Sequence, residues 1–124
     1  MGGTEYANPP PLFFSGILDK VQTRNTIMAS TPEKKVKEKC VKIIKEHDVY
    51  YFFPQMNGMG RAGIPDIICC ANGKFLAIEC KAGKGKTTAL QDREIAAIQT
   101  AGGVALVVNE LNLAELEQTI KDML

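Results

Sequence analysis

The sequence predicts an α/β domain: a mixed four-stranded sheet flanked by helices, in the order α-β-β-β-α-β-α. Asn72-Gly73 lies between two short apolar runs, Ile67-Ile68-Cys69-Cys70 and Phe75-Leu76-Ala77-Ile78. Asn-Gly in that setting is the strongest local signal for a two-residue hairpin turn, so these strands pair antiparallel. A helix-patterned stretch from Ala89 to Thr100 then separates the second of them from another β-branched run, Val104 to Val108. A helical crossover makes its two flanking strands parallel, with a right-handed connection. Antiparallel and parallel pairings together give a mixed sheet with helices on both faces.

The elements follow in order. Thr31 is a good N-cap, Pro32 suits the first helical position and Glu33 complements the helix dipole, so a helix runs from 31 to 47. Val36, Cys40, Ile43 and Ile44 recur at helical spacing as its buried stripe. Turning from Val36, Glu33 falls at about 60°, on the buried side, and Glu38 at about 200°, on the solvent side. Val49 to Phe53 reads as the first strand, with one face in the core and a tyrosine or two at its edge. Gln55 to Gly63 is a glycine-rich loop around Arg61. The hairpin strands span Asp66–Cys70 and Lys74–Cys80, and Gly83 to Lys86 is a basic loop. Thr87 or Thr88 caps the second helix, whose apolar positions are Leu90, Ile95, Ala96 and Ile98, and Gly102-Gly103 ends it. After the Val104–Val108 strand, an amphipathic helix runs from Leu111 or Asn112 to Met123.

At 124 residues and 45% apolar content the chain supports one modest core. Residues 1–30, with Asn8-Pro9-Pro10-Pro11 and the apolar Leu12-Phe13-Phe14, read as an N-terminal extension, and 31–124 as the folded domain. The net charge of +1 does not announce a nucleic-acid partner, but Arg61, Lys74, Lys81, Lys84 and Lys86 cluster along one stretch. The 4 cysteines include no Cys-x-x-Cys pair and there is 1 histidine, so zinc spacing is absent. Adjacent Cys69 and Cys70 point to opposite faces of a strand, which suits thiols in a reducing cytosol. No apolar run is long enough to span a membrane and no signal-peptide pattern opens the chain, so the expected location is the cytoplasm.

Chemistry concentrates at the open end of the hairpin. Pairing the two runs sets Asp66, at the start of one strand, beside Glu79 and Lys81 at the end of the other. Side chains alternate along a strand, so Glu79 and Lys81 share a face and Cys80 points to the opposite layer. Singly, Asp66 reads as a turn aspartate and Glu79 with Lys81 as a strand ion pair. Together, two acids and an ammonium are the equipment for holding a divalent cation and activating a water. Gly85-Lys86-Thr87 invites a nucleotide-binding reading, but G-x-x-x-x-G-K-[ST] needs its first glycine where this chain has Cys80, so no nucleotide cofactor is expected.

The stretches Gly63-Ile64-Pro65-Asp66-Ile67, Phe75 to Ala82 and Thr88-Ala89-Leu90-Gln91 resemble the PD-(D/E)XK nuclease superfamily, and within it the virus-type replication–repair nuclease (VRR-NUC) domains. That resemblance implies a restriction-endonuclease-like core. It implies that Asp66, Glu79 and the backbone carbonyl of Cys80 coordinate Mg²⁺ or Mn²⁺, a hard cation suited to oxygen ligands. Lys81 would orient or deprotonate the attacking water, and Gln91 would support the lysine or the water. A helix-one acid would reach the metal directly or through water; the motif leaves Glu33 and Glu38 open, and the rotation favours Glu33. Arg61, Lys84 and Lys86 would contact DNA phosphates.

The expected function is a Mg²⁺-dependent, structure-selective DNA endonuclease. It would be similar to Holliday-junction resolvases of phage replication, recombination or repair, and would act on branched DNA as a homodimer. The alternatives are a flap- or end-processing nuclease, a duplex-specific nuclease, and a DNA-binding module with a vestigial site.

Overall fold

The computed structural model describes residues 30–55 and 61–124. The expected N-terminal extension, up to residue 29, lies outside them, as do Gly58 and Gly60 of the loop around Arg61. Pro32–Leu124 is one compact unit.

Helix α1 spans Pro32–Glu46, with Glu33 in its first turn and Lys45 in its last. Its buried residues, Val36, Cys40 and Ile44, are spaced four apart along one stripe. The helix ends where Asp48 adopts φ 55°, a left-handed conformation that Asp tolerates better than most residues. The Val49 N–H then donates to the Ile44 carbonyl at 3.2 Å, turning the chain into the sheet.

Strands β1 (Tyr50–Phe52), β2 (Ile67–Ala71), β3 (Lys74–Cys80) and β4 (Val104–Val108) form one sheet in the order β1-β2-β3-β4. β1–β2 and β2–β3 are antiparallel and β3–β4 is parallel, as the crossover required. Ala71 pairs with Lys74, and Asn72 (φ 53°) and Gly73 (φ 79°) bridge them. Two consecutive positive φ values define the type I′ turn, whose twist matches that of the strands it joins. The turn fixes the register along the hairpin to the Ile67–Ile78 pair. One residue further, Asp66 comes level with Glu79.

Helix α2 (Ala89–Thr100) is the crossover, and α3 (Leu113–Met123) closes the chain. The core joins Val36, Cys40 and Ile44 of α1 and Leu116, Ile120 and Met123 of α3 to Ile67, Cys69, Leu76, Ile78, Cys80 and Val108 of the sheet. These strand residues alternate with the others, so α1 and α3 share one face. The opposite face carries Cys70, Phe75 and Glu79, and α2 lies over it. There a side chain at Gly103 would meet Ile98 of α2 at 2.9 Å and Phe75 of β3 at 3.1 Å.

Two elements differ from their sequence reading. β1 is shorter than expected, and Tyr50, Phe52 and Phe53 are 68%, 45% and 42% exposed. β1 is an edge strand: Val49 and Tyr51 meet the core from one face, as expected, and Tyr50 and Phe52 point away from it. In α2 the anticipated apolar stripe is not the buried one: Leu90 and Ala96 are exposed, and the buried residue is Glu94. The reason is an ion pair, described below, that hydropathy does not register.

Candidate active site

The residues gathered at the open end of the hairpin come from four segments. Asp66 follows Pro65 just before β2, and its Oδ2 accepts a hydrogen bond from the Cys80 backbone N–H at 2.8 Å. This bond locks the aspartate onto the last residue of β3. Glu79, the penultimate residue of β3, is only 3% exposed. Lys81 leaves the strand, but its backbone N–H donates to the Val108 carbonyl at 2.9 Å, so the parallel ladder still holds its Cα. Its Nζ lies 3.7 Å from Glu79 Oε2.

The fourth segment is the start of α2. Thr88 is its N-cap, accepting from the Gln91 N–H, while Gln91 Oε1 accepts from the Thr88 N–H at 2.9 Å. This reciprocal capping box leaves the amide nitrogen of Gln91 pointing away from the cap. Gln91 Nε2 donates to Glu79 Oε2 at 2.8 Å. Gln91 thus holds Glu79, where the resemblance implied Lys81 or a water.

Gly63 sets the spacing between these segments. It has φ 85°, and a side chain there would sit 2.5 Å from the Leu90 carbonyl carbon and oxygen and 2.9 Å from the Gln91 nitrogen. The loop leading to Asp66 therefore presses backbone to backbone on the first turn of α2, a close approach that only glycine permits.

The electrostatics are those of crowded acids. The Glu79 carboxyl is pushed up to about 8, first by burial and next by the negative charge of Asp66. Lys81 opposes these, and a hydrogen bond with Asp66 and the charge of Glu33 add to them. Glu79 Oε1 is buried and has no hydrogen-bond partner. A buried carboxylate oxygen with no partner is costly unless something positive or a proton occupies its lone pairs.

That orphaned oxygen, beside a second carboxyl, fits a divalent cation. Among the described residues no group of three or more His, Cys, Asp or Glu is arranged to hold a metal ion. Magnesium does not require one: it keeps several waters and is usually held by one or two carboxylates with substrate oxygens.

The other anticipated residues are placed as follows. Glu33 is exposed, yet of the two helix-one acids it is the one whose charge reaches Glu79. Glu38 instead lines cavities on the outer flank of α1. The Cys80 side chain is fully buried in the opposite layer, where its thiol meets Cys40 and is pushed up, first by that hydrogen bond and then by burial. Lys84 and Lys86 are exposed on a loop tied down by the Gly83 N–H, which donates to Glu110 Oε1 at 2.9 Å. Arg61 forms a fork on Glu94, with Nε 3.2 Å from Oε2 and Nη2 3.4 Å from Oε1. Sequence reasoning missed Glu94; its signal was its position one helical turn after Gln91, on the same face.

The mixed sheet with helices on both faces is consistent with a restriction-endonuclease-like fold, and it carries an acid–acid–lysine cluster at the open end of the central hairpin. The family model for the archaeal Holliday junction resolvase (Hjc) matches residues 32–115, and the chain belongs to that family. No curated protein matches the chain. Among the described residues, no helix is long and apolar enough to cross a membrane.

Proposed function

We propose that the chain is a metal-dependent endonuclease that hydrolyses phosphodiester bonds in branched DNA, with the four-way junction as its preferred substrate. The observation that carries this reading is the state of Glu79. It is a buried acid with one orphaned oxygen, a second carboxyl alongside and a lysine ammonium 3.7 Å from its other oxygen. Family membership supports the substrate class.

Asp66, Glu79 and the backbone carbonyl of Cys80 would hold Mg²⁺ or Mn²⁺, with Glu33 joining directly or through water. The ion, when bound, lowers the pKa of a water and offsets charge developing on the phosphate. Lys81 presents an ammonium beside the acids, where it orients the attacking water and steadies the phosphate. Gln91 keeps Glu79 in one orientation. Lys84 and Lys86, on their tethered loop, contact the DNA backbone, and Arg61 adds a contact while remaining forked on Glu94. Two symmetric cuts across a junction need two such sites, hence a homodimer. The flanks Gly63-Ile64-Pro65-Asp66 and Lys81-Ala82 support the VRR-NUC branch of the superfamily, and with it a phage or prophage setting in a host cytoplasm.

The test is cleavage of labelled four-way junction, flap, duplex and single strand, in Mg²⁺ and in EDTA, by the wild type and Lys81→Ala. Mg²⁺-dependent junction cutting, lost in Lys81→Ala, is expected. Preferred cutting of flaps would make the protein an end-processing nuclease. Junction binding with no cut product in any metal would make it a DNA-binding module.

A further inference from the structure

We propose that the cavity between α1 and the end of β1 receives an unstacked nucleotide of the DNA substrate, with Phe53 stacking on the base and Lys37 meeting the phosphate. The proposal rests on the nuclease reading in taking DNA as the ligand. It adds a binding site that the catalytic cluster does not contain.

The cavity measures about 290 Å³ and is lined by Lys34, Lys37, Glu38, Val41 and Phe53. Its floor is apolar, from Phe53 and Val41, and its rim is charged. Phe53 is 42% exposed, and its ring is backed by Tyr51, with centroids 5.8 Å apart. The Lys37 ammonium sits 4.2 Å from the Phe53 ring centroid. A cation over an exposed ring is held weakly. A base stacking on that ring would displace the ammonium onto its own phosphate, replacing one weak contact with stacking and an ion pair. Glu38 repels a phosphate from its side of the cavity, so the base enters towards Val41 and the phosphate stays at Lys37.

The position suits a substrate contact. Phe53 follows Phe52, which pairs with Ile68, so it comes level with Ile67, which pairs with Ile78. The next row outward is Asp66 and Glu79. Phe53 therefore stands at the same end of the sheet as the acids, one strand over from Asp66 and two from Glu79, about 5 and about 10 Å in the plane of the sheet by strand spacing. It lies on the α1 face, whereas Glu79 lies on the α2 face. A DNA strand crossing the sheet end at the acids reaches Phe53 within a few nucleotides.

Structure selectivity then has a physical source. A base leaves the stack at less cost at a branch point than inside a duplex. A pocket that takes an unstacked base therefore favours branched DNA without reading sequence.

The experiment measures binding in EDTA by fluorescence anisotropy, on a four-way junction and on a duplex of equal length. A second junction carries 2-aminopurine next to the crossover. Phe53→Ala and Phe53→Leu, the latter keeping apolar bulk, should weaken junction binding about tenfold and change duplex binding little. Phe53→Trp should retain it. Lys37→Gln should lower both affinities and reduce the salt slope by about one. The 2-aminopurine signal should change on binding the wild type and not on binding Phe53→Ala. If both Phe53 variants prefer junction over duplex as the wild type does, while Mg²⁺-dependent cutting persists, this site is refuted and the nuclease reading stands. A wild type that neither binds nor cuts junctions refutes both.

Discussion

Gln91 joins the cap of α2 to the buried acid of the site: its Oε1 accepts from the Thr88 N–H at 2.9 Å and its Nε2 donates to Glu79 Oε2 at 2.8 Å. One amide serves helix and site, so the two roles separate by substitution. Gln91→Glu keeps an acceptor for the cap but sets a third carboxylate against Glu79. Gln91→Ala loses both. Junction cleavage should fall on the order of 10- to 100-fold in each, as for other groups that orient a metal ligand. Only Gln91→Ala should also lose the capping stability, about 1 kcal/mol in urea unfolding.

Gly63 tests the packing of the loop on α2. Gly63→Ala meets both a φ of 85° and backbone atoms at 2.5 Å, whereas Gly73→Ala meets a φ of 79° with nothing within 4 Å. Both substitutions carry the strain of a left-handed alanine, of order 1 kcal/mol. Gly63→Ala should cost more by about 1–3 kcal/mol and should slow cleavage, because it displaces Gln91 from Glu79. Unfolding midpoints and cleavage rates of the two variants give the comparison directly.

Arg61 and Glu94 form a pair in which one partner is far more exposed than the other, with side chains 77% and 10% exposed. Removing Arg61 leaves Glu94 in its buried position without a partner. Arg61→Ala should therefore destabilise by about 1–2 kcal/mol after allowance for the solvent around the arginine. Glu94→Gln in the same background should recover part of that loss, and a double-mutant cycle in urea reads the coupling.

Glu79 makes stability depend on pH in the metal-free protein. Its folded-state pKa, about 8, is raised above the ordinary glutamate value of 4.5. The folded state thus binds this proton more tightly than the unfolded chain. The stability it contributes is fully present below about pH 4.5 and is lost as pH rises through about 8, on the order of a few kcal/mol. In EDTA the unfolding free energy should fall across that window, and Glu79→Gln should flatten the fall. Because the ligand must lose its proton, Mg²⁺ affinity should rise across the same window.

Much of this arrangement was legible in the residues. Asn72-Gly73 dictates a two-residue turn, and that turn alone puts Asp66 level with Glu79. The alternation that sends Cys80 to the core and Glu79 to the other face follows from the strand period. What escaped the reading were contacts between segments distant in sequence. Glu94 is buried because Arg61 reaches it from a loop, and no periodicity in α2 records that. Tyr50, Phe52 and Phe53 look like core residues by type, yet β1 is an edge strand. Gln91 was singled out by its flanks, but its partner depended on how closely the backbone of Gly63 approaches α2.

The central claim is that Asp66 and Glu79 hold one divalent cation between them. Calorimetric titration of Mn²⁺ into the wild type, Asp66→Asn and Glu79→Gln tests it most directly, with circular dichroism to establish that each variant is folded. The account predicts one site per chain in the wild type, lost in both variants along with junction cleavage. Undiminished Mn²⁺ binding in both folded variants, or junction cutting by the wild type in EDTA, would contradict it.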